Sequence, residues 1–198
     1  MTSTDQHTGA ARTLPDPTVA RPPVGLAHVV FRTNDLPRMR EWYCTVLGAH
    51  PVFDNGKLAF LTYDEEHHRV ALIATGPYPV PSDEPQVGFY HSAFTHPDLG
   101  ALLATYRRLR DAEILPVRAI RRGPTVSLYY RDPDGNHVEL QVDSFATADE
   151  ATEWMKGPVF SVNPIGTLFD PEEMVADYER GVPFEVLVRR DDDPVPAS

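Results

Sequence analysis

The chain has 198 residues, enough for one domain with a sizeable core, and its 41% hydrophobic and 24% charged residues are ordinary for a globular protein. A formal net charge of −11 leaves no basic footprint, which argues against nucleic acid or an anionic membrane as partner. The single cysteine, Cys44, excludes an internal disulfide and fits a reducing compartment.

The opening stretch, "MTSTDQHTGAARTLPDPTVARPP", has no apolar run, so neither a signal peptide nor an anchor is expected. No segment approaches the roughly 20 apolar residues of a bilayer span. These features predict a cytoplasmic protein with a disordered segment over 1–23. From residue 24 the pattern becomes regular. "VGLAHVVFRT" reads as a strand, and "DLPRMREWYCTVLG" as a helix with Leu36, Met39, Tyr43, Val46 and Leu47 on one face. Asn34 or Asp35 caps that helix and Gly48 stops it. "HPVFD", "KLAFLTYD" and "RVALIAT" follow as short strands, the first two joined by the hairpin signal Asn55-Gly56.

After a proline-rich loop, "GPYPVPSDEPQ", the order starts again. "GFYHSAFTH" is a strand, "PDLGALLATYRRLRDAE" a helix with Leu99, Leu102, Leu103, Tyr106 and Leu109 inward, and three more strands end at Val142. His28 and His91 lie 63 residues apart, and so do Phe31 and Phe94, Asp35 and Asp98, Leu36 and Leu99, and Tyr43 and Tyr106. Identities at one offset, in matching places on strand and helix, indicate an internal repeat. The expected architecture is α+β: two paired βαβββ modules, 24–75 and 87–143, forming one barrel-like domain over 24–143.

The stretch "RDPDGNHVELQVD", residues 131–143, opens with a turn and then alternates. Val138, Leu140 and Val142 share one face; His137, Glu139 and Gln141 share the other. A face turned to water accounts for such a carboxylate. The repeat offers a second account. It sets His28 and His91 at equivalent places on facing strands, and Glu139 stands where the first module has Ala71. Two imidazoles and one carboxylate suit a non-haem Fe(II) with open positions.

With those residues in view, the sequence resembles the vicinal-oxygen-chelate superfamily, and within it the single-domain type I extradiol catechol dioxygenases. "LYYRDPDGNHVE" is similar to the signature around that family's carboxylate ligand, with a tyrosine ten residues ahead of the glutamate. "DEEHHRVALIA" is similar to its paired-histidine strand. The resemblance implies iron, with manganese as the alternative, on His28, His91 and Glu139. It implies acid–base work for His68, with His67 among the substrate-binding residues, and a hydrogen bond from Tyr129 to bound catecholate. The partners implied are a small aromatic diol and O₂. A catechol must lose protons to chelate a metal, and an imidazole of near-neutral pKa suits that task. The carboxylates of Asp64, Glu65 and Glu66 are expected to push the His68 pKa upward.

Where the family carries a further histidine, this chain offers Arg121 and Arg122, permanent cations that are expected to bind an acidic substrate group. Two other readings remain open: a metal-free module binding an aromatic ligand, and a metal-dependent lyase or isomerase of the glyoxalase kind. The last would need a fourth ligand where Ala71 stands.

The extension, 144–198, predicts two short helices: "TADEATEWM" with a capping box of Thr147 and Glu150, and "DPEEMVADYERG" with Asp170 as N-cap and Gly181 as stop. Their apolar residues, Trp154, Met155, Met174, Val175 and Tyr178, must bury against the barrel or against a partner subunit in a homo-oligomer. The end, "RRDDDPVPAS", is expected to be disordered.

Overall fold

The computed structural model describes residues 20–81 and 87–193. The disorder expected at the start falls, up to residue 19, outside the described residues, as do 82–86 of the proline-rich loop and the last five residues. The first module runs β1 (Val29–Thr33), α1 (Leu36–Leu47), β2 (His50–Asp54), β3 (Leu58–Thr62) and β4 (Val70–Ala74). The second runs β5 (His91–Thr95), α2 (Leu99–Asp111), β6 (Arg118–Arg121), β7 (Thr125–Arg131) and β8 (His137–Asp143). Each module orders its strands alike, β1-β4-β3-β2 and β5-β8-β7-β6, with the first pair parallel and the others antiparallel. The repeat in the sequence is thus a repeat in topology, and the class is α+β.

Local chemistry explains the elements. Asp35, not Asn34, caps α1 by accepting from Arg38 N, and Gly48 ends the helix in the left-handed region at φ 64°. Asn34 instead bonds both backbone groups of Tyr78. Gly56, at φ 76°, turns the β2–β3 hairpin while Asn55 Oδ1 accepts from Lys57 N and Leu58 N.

β1 starts at Val29, five residues later than the sequence pattern suggests, because a strand extends only as far as its partner. Val29↔Val70 is the first pair. Ahead of it Arg69 reaches the carbonyls of Leu26 and Ala27 with its side chain.

Leu36, Met39, Tyr43 and Val46 of α1 and the five expected residues of α2 are all buried, together with Leu61, Leu72, Leu128, Val138 and Leu140 from the sheets. They form one cluster across both modules. Each fully buried leucine among them contributes about 1.5–3 kcal/mol through the water it sheds. The modules are also tied by polar contacts. Tyr43 donates its hydroxyl to Asp132 at 3.1 Å, and Arg108 of α2 donates to the carbonyls of Thr45 and Val46 at the end of α1. A cation there satisfies orphan carbonyls where the helix is most negative.

The extension contains more than two helices: α3 (Ala148–Met155), α4 (Pro158–Val162), β9 (Thr167–Leu168), α5 (Pro171–Glu179) and α6 (Phe184–Leu187). The capping box of Thr147 and Glu150 and the Asp170 cap are present. β9 adds a fifth strand beside β6, and Met174 and Val175 enter the common core. The chain end corrects another expectation. Arg190 is 1% exposed, held by Asp192 and by the Arg122 carbonyl, so disorder does not begin at residue 189. Among the described residues no helix is long and apolar enough to cross a membrane.

Candidate active site

The second sheet presents Val138, Leu140 and Val142 to the core, so Glu139 must point to the opposite face. The turn ahead of it sets what Glu139 meets. Asp132 Oδ1 accepts from the backbone of Asp134 and Asn136, Gly135 takes φ 91°, and the chain reverses so that Arg131 faces His137. Counting back two residues on each strand puts Tyr129 opposite Glu139. The ten-residue spacing from tyrosine to glutamate is therefore a strand register.

The neighbouring pairs continue across the sheet: Ala93↔Glu139 on one side and Arg118↔Tyr129 on the other. His91, two residues before Ala93, joins the same face. The first sheet pairs Val30 with Ala71, so Ala71 holds the place equivalent to Glu139, and the carboxylate occurs once.

His91 Nε2 lies 2.9 Å from Glu139 Oε2, and Glu139 is 4% exposed. His91 Nδ1 is buried without a hydrogen-bond partner. The Tyr129 ring stands edge-on to His91 at 5.7 Å, and its hydroxyl accepts from Arg122 Nε at 2.8 Å. Burial first, and then the charge of Glu139, push the Tyr129 phenol up to about 12, against the lowering pull of Arg122. Tyr129 thus stays protonated through the physiological range.

On the first module His28, just before β1, meets the ring of His68 at 4.3 Å, and His68 stacks on Phe60 at 4.4 Å. His67 is exposed, beside Glu66, with its ring 4.5 Å from that of His68. The inward side chain of the pair is His68, 9% exposed. Its pKa moves opposite to expectation: burial, then His28 and His67, lower it, and Glu66 offsets only part. A buried imidazole beside two others gains more by losing its proton than one carboxylate at the rim restores.

The structure thus brings His91, Glu139, Tyr129 and Arg122 together on one sheet, and His28, His67 and His68 together on the other. Among the described residues no three His, Cys, Asp or Glu side chains stand close enough to hold an ion together. Arg121 is a correction: it faces away from Tyr129, donates to the Leu187 carbonyl at 2.8 Å and lies over Phe169. Consecutive residues of a strand end point to opposite faces, so Arg121 and Arg122 do not serve one pocket.

Two residues went unread in the sequence. The Arg118 guanidinium sits 4.8 Å from the centre of the Tyr129 ring, and its Nη2 lies 3.4 Å from the Tyr90 hydroxyl. Alternation through Arg118, Ile120 and Arg122 was the available signal.

Comparison with known proteins bears on the family and the fold. The family model described as Glyoxalase/Bleomycin resistance protein/Dioxygenase superfamily matches residues 25–140. Biphenyl-2,3-diol 1,2-dioxygenase 3 of Rhodococcus globerulus is 49% identical over 166 residues, 83% of this chain and 87% of that one. Biphenyl-2,3-diol 1,2-dioxygenase 2 of the same organism is 47% identical, over 80% of this chain and 84% of its own. Among solved structures, a glyoxylase/bleomycin resistance protein/dioxygenase domain from Frankia sp. EAN1pec superposes with a TM-score of 0.52 at 19% identity, covering 62% of this chain and 94% of its own. The lactoylglutathione lyase of Agrobacterium tumefaciens gives 0.50 at 24%, over 62% and 96%. Those two likenesses speak for the fold alone. With the doubled βαβββ topology and a family match over most of both modules, the chain belongs to the Glyoxalase/Bleomycin resistance protein/Dioxygenase superfamily.

Proposed function

We propose that this protein is an Fe(II)-dependent extradiol dioxygenase that opens a catechol-type ring beside its diol with O₂, with Mn(II) as the alternative ion. The observation that carries the reading is the His91–Glu139 pair, 2.9 Å apart on a buried sheet face with the Tyr129 hydroxyl next to it. The substrate named for the two Rhodococcus relatives, biphenyl-2,3-diol, is a catechol bearing an aryl group and sets the class to be expected here.

The donor set fits a divalent ion in kind. A buried carboxylate oxygen and the imidazole Nε2 lie 2.9 Å apart, close enough to share one ion, and the far nitrogen of that ring, Nδ1, is buried without a partner. His91 and Glu139 would hold the metal; His28, which stands with His68 on the other sheet, would have to come closer to them to serve as the third ligand. Bound iron supplies the centre at which O₂ and an electron-rich ring meet and exchange electrons.

The chain's own groups do the remaining work. Tyr129, kept protonated by burial and by Glu139, is a hydrogen-bond donor for an anionic substrate oxygen. Arg122 donates to the Tyr129 oxygen, which leaves the phenol's own proton for Glu139 or for a substrate oxygen. His68, held neutral by burial, can accept the catechol proton, and Phe60 fixes its ring plane. His67, exposed beside it, is left the edge of the substrate.

The test is O₂ consumption. Protein reconstituted anaerobically with Fe(II) should consume O₂ in step with the appearance of a yellow ring-opened product from biphenyl-2,3-diol. Full iron occupancy with no uptake on any of a panel of catechols would reject the reading. Tight binding of the diol without turnover would favour a ligand-binding role.

A further inference from the structure

The short segment that carries Arg122 is gripped on every side by the C-terminal extension. Arg190, whose side chain is 0% exposed, forks onto Asp192 with bonds of 2.8 and 2.7 Å. Its remaining arm, Nη1, donates to the Arg122 carbonyl at 3.2 Å. The same guanidinium lies 5.5 Å from the ring centre of Trp154. Trp154 in turn covers Gly123 so closely that a Cβ there would lie 2.0 Å from the indole. Two residues before Gly123, Arg121 pairs with Thr167 of β9, and a Cβ on Gly166 would meet the Arg121 carbonyl at 2.2 Å. Three consecutive residues, Arg121 to Gly123, are thus each held by a different piece of the extension. The middle one sends its side chain to the Tyr129 hydroxyl.

A wholly buried arginine is a costly way to hold a tail, since an apolar side chain of similar volume often serves stability as well or better. What only a guanidinium provides is a planar fork plus a spare donor in fixed geometry. Here that donor ends on the backbone of a residue at the site. We infer that Arg190 is a positioning residue: it fixes the Arg122 backbone, and through it the guanidinium that orients the Tyr129 hydroxyl. The kinetic part of this inference rests on the dioxygenase reading; the structural part does not.

Arg190→Lys in the full chain tests it. Lysine keeps a cation beside Asp192 and Trp154, but one ammonium cannot reproduce the fork and also hold the carbonyl. With Fe(II) enzyme and biphenyl-2,3-diol, kcat should fall roughly 10- to 100-fold with KM little changed and the thermal midpoint close to the parent's. Added to Arg122→Gln, the same change should cost nothing further, because both act through one contact. In metal-free protein carrying ¹³C-labelled tyrosine, the Tyr129 signal, assigned by its loss in Tyr129→Phe, should be displaced by Arg190→Lys as it is by Arg122→Gln. Losses that multiply in the double variant, or a Tyr129 signal that Arg190→Lys leaves in place, overturn the inference. Should Arg190→Lys fail to fold, Asp192→Asn, which loosens the fork from outside, carries the same expectations. If the parent turns over no catechol, the dioxygenase reading fails, and the Tyr129 signal still decides the positioning.

Discussion

Glu139 carries its charge almost out of reach of water, so whatever meets that charge decides what the sheet face is for. His91 meets it now, and a divalent ion between them would meet it better. His91→Ala, Glu139→Ala and His28→Ala are each expected to abolish metal binding, since two donors do not hold an ion that three are proposed to share. Metal analysis of the purified variants checks this, and full occupancy in any one of them removes that residue from the set. His68 answers a different question. His68→Phe can keep the stack on Phe60, so the fold, the ion and catechol binding should survive while turnover drops by roughly 10²- to 10⁴-fold, the usual worth of acid–base catalysis. His67→Phe, at an exposed position, should be far milder. If neither variant slows turnover, the catechol proton leaves by another route. At this scale the sequence was readable wherever a spacing is a register, as between Tyr129 and Glu139. It was not readable at Arg121 and Arg122, where two adjacent cations look alike until strand alternation separates them.

The helices were legible because an apolar stripe at helical spacing has few other uses; Leu99, Leu102, Leu103, Tyr106 and Leu109 are all buried as the pattern implies. Strand ends were less so. β1 is cut short by the start of β4, a partner about 40 residues away that its own composition does not reveal. β9, two residues long, exists only because β6 offers an edge. The extension was misread for the same reason. Arg190 looks like a surface residue in an acidic tail until Trp154 and the Arg122 carbonyl are brought to it from distant parts of the chain. A test of that packing lies at Gly123, at φ 105° and pressed against Trp154. Gly123→Ala strains the backbone and displaces the indole, and should cost about 1–3 kcal/mol in denaturant unfolding. An unchanged midpoint would mean that Trp154 does not press on this turn in solution.

For the whole molecule, the doubled pattern told that there are two modules but not how they hold each other, because the bonds between them join residues far apart in sequence. Tyr43 of α1 and Asp132 of the β7–β8 turn are one such bond, buried and 89 residues apart. It gives the protein a pH dependence whose sign follows from its cause. Burial raises the Asp132 carboxyl, and outweighs the bonds from Asn136, Tyr43 and Asp134 that lower it. The folded protein therefore holds this proton more tightly than the unfolded chain does. Its contribution to stability is complete below the unfolded value of about 3.9 and is lost as pH rises through the higher folded value. Asp132→Asn removes the titration. It also exchanges an accepting oxygen for a donor, which shifts stability by an amount that does not vary with pH. In urea unfolding at pH 4 and at pH 7, the stability of the parent relative to Asp132→Asn should thus fall toward the higher pH, while the other titrating groups cancel in the difference. A relative gain toward pH 7 would mean that the four hydrogen bonds to the carboxyl outweigh burial, and that the carboxylate at the module boundary is held ionised by its neighbours.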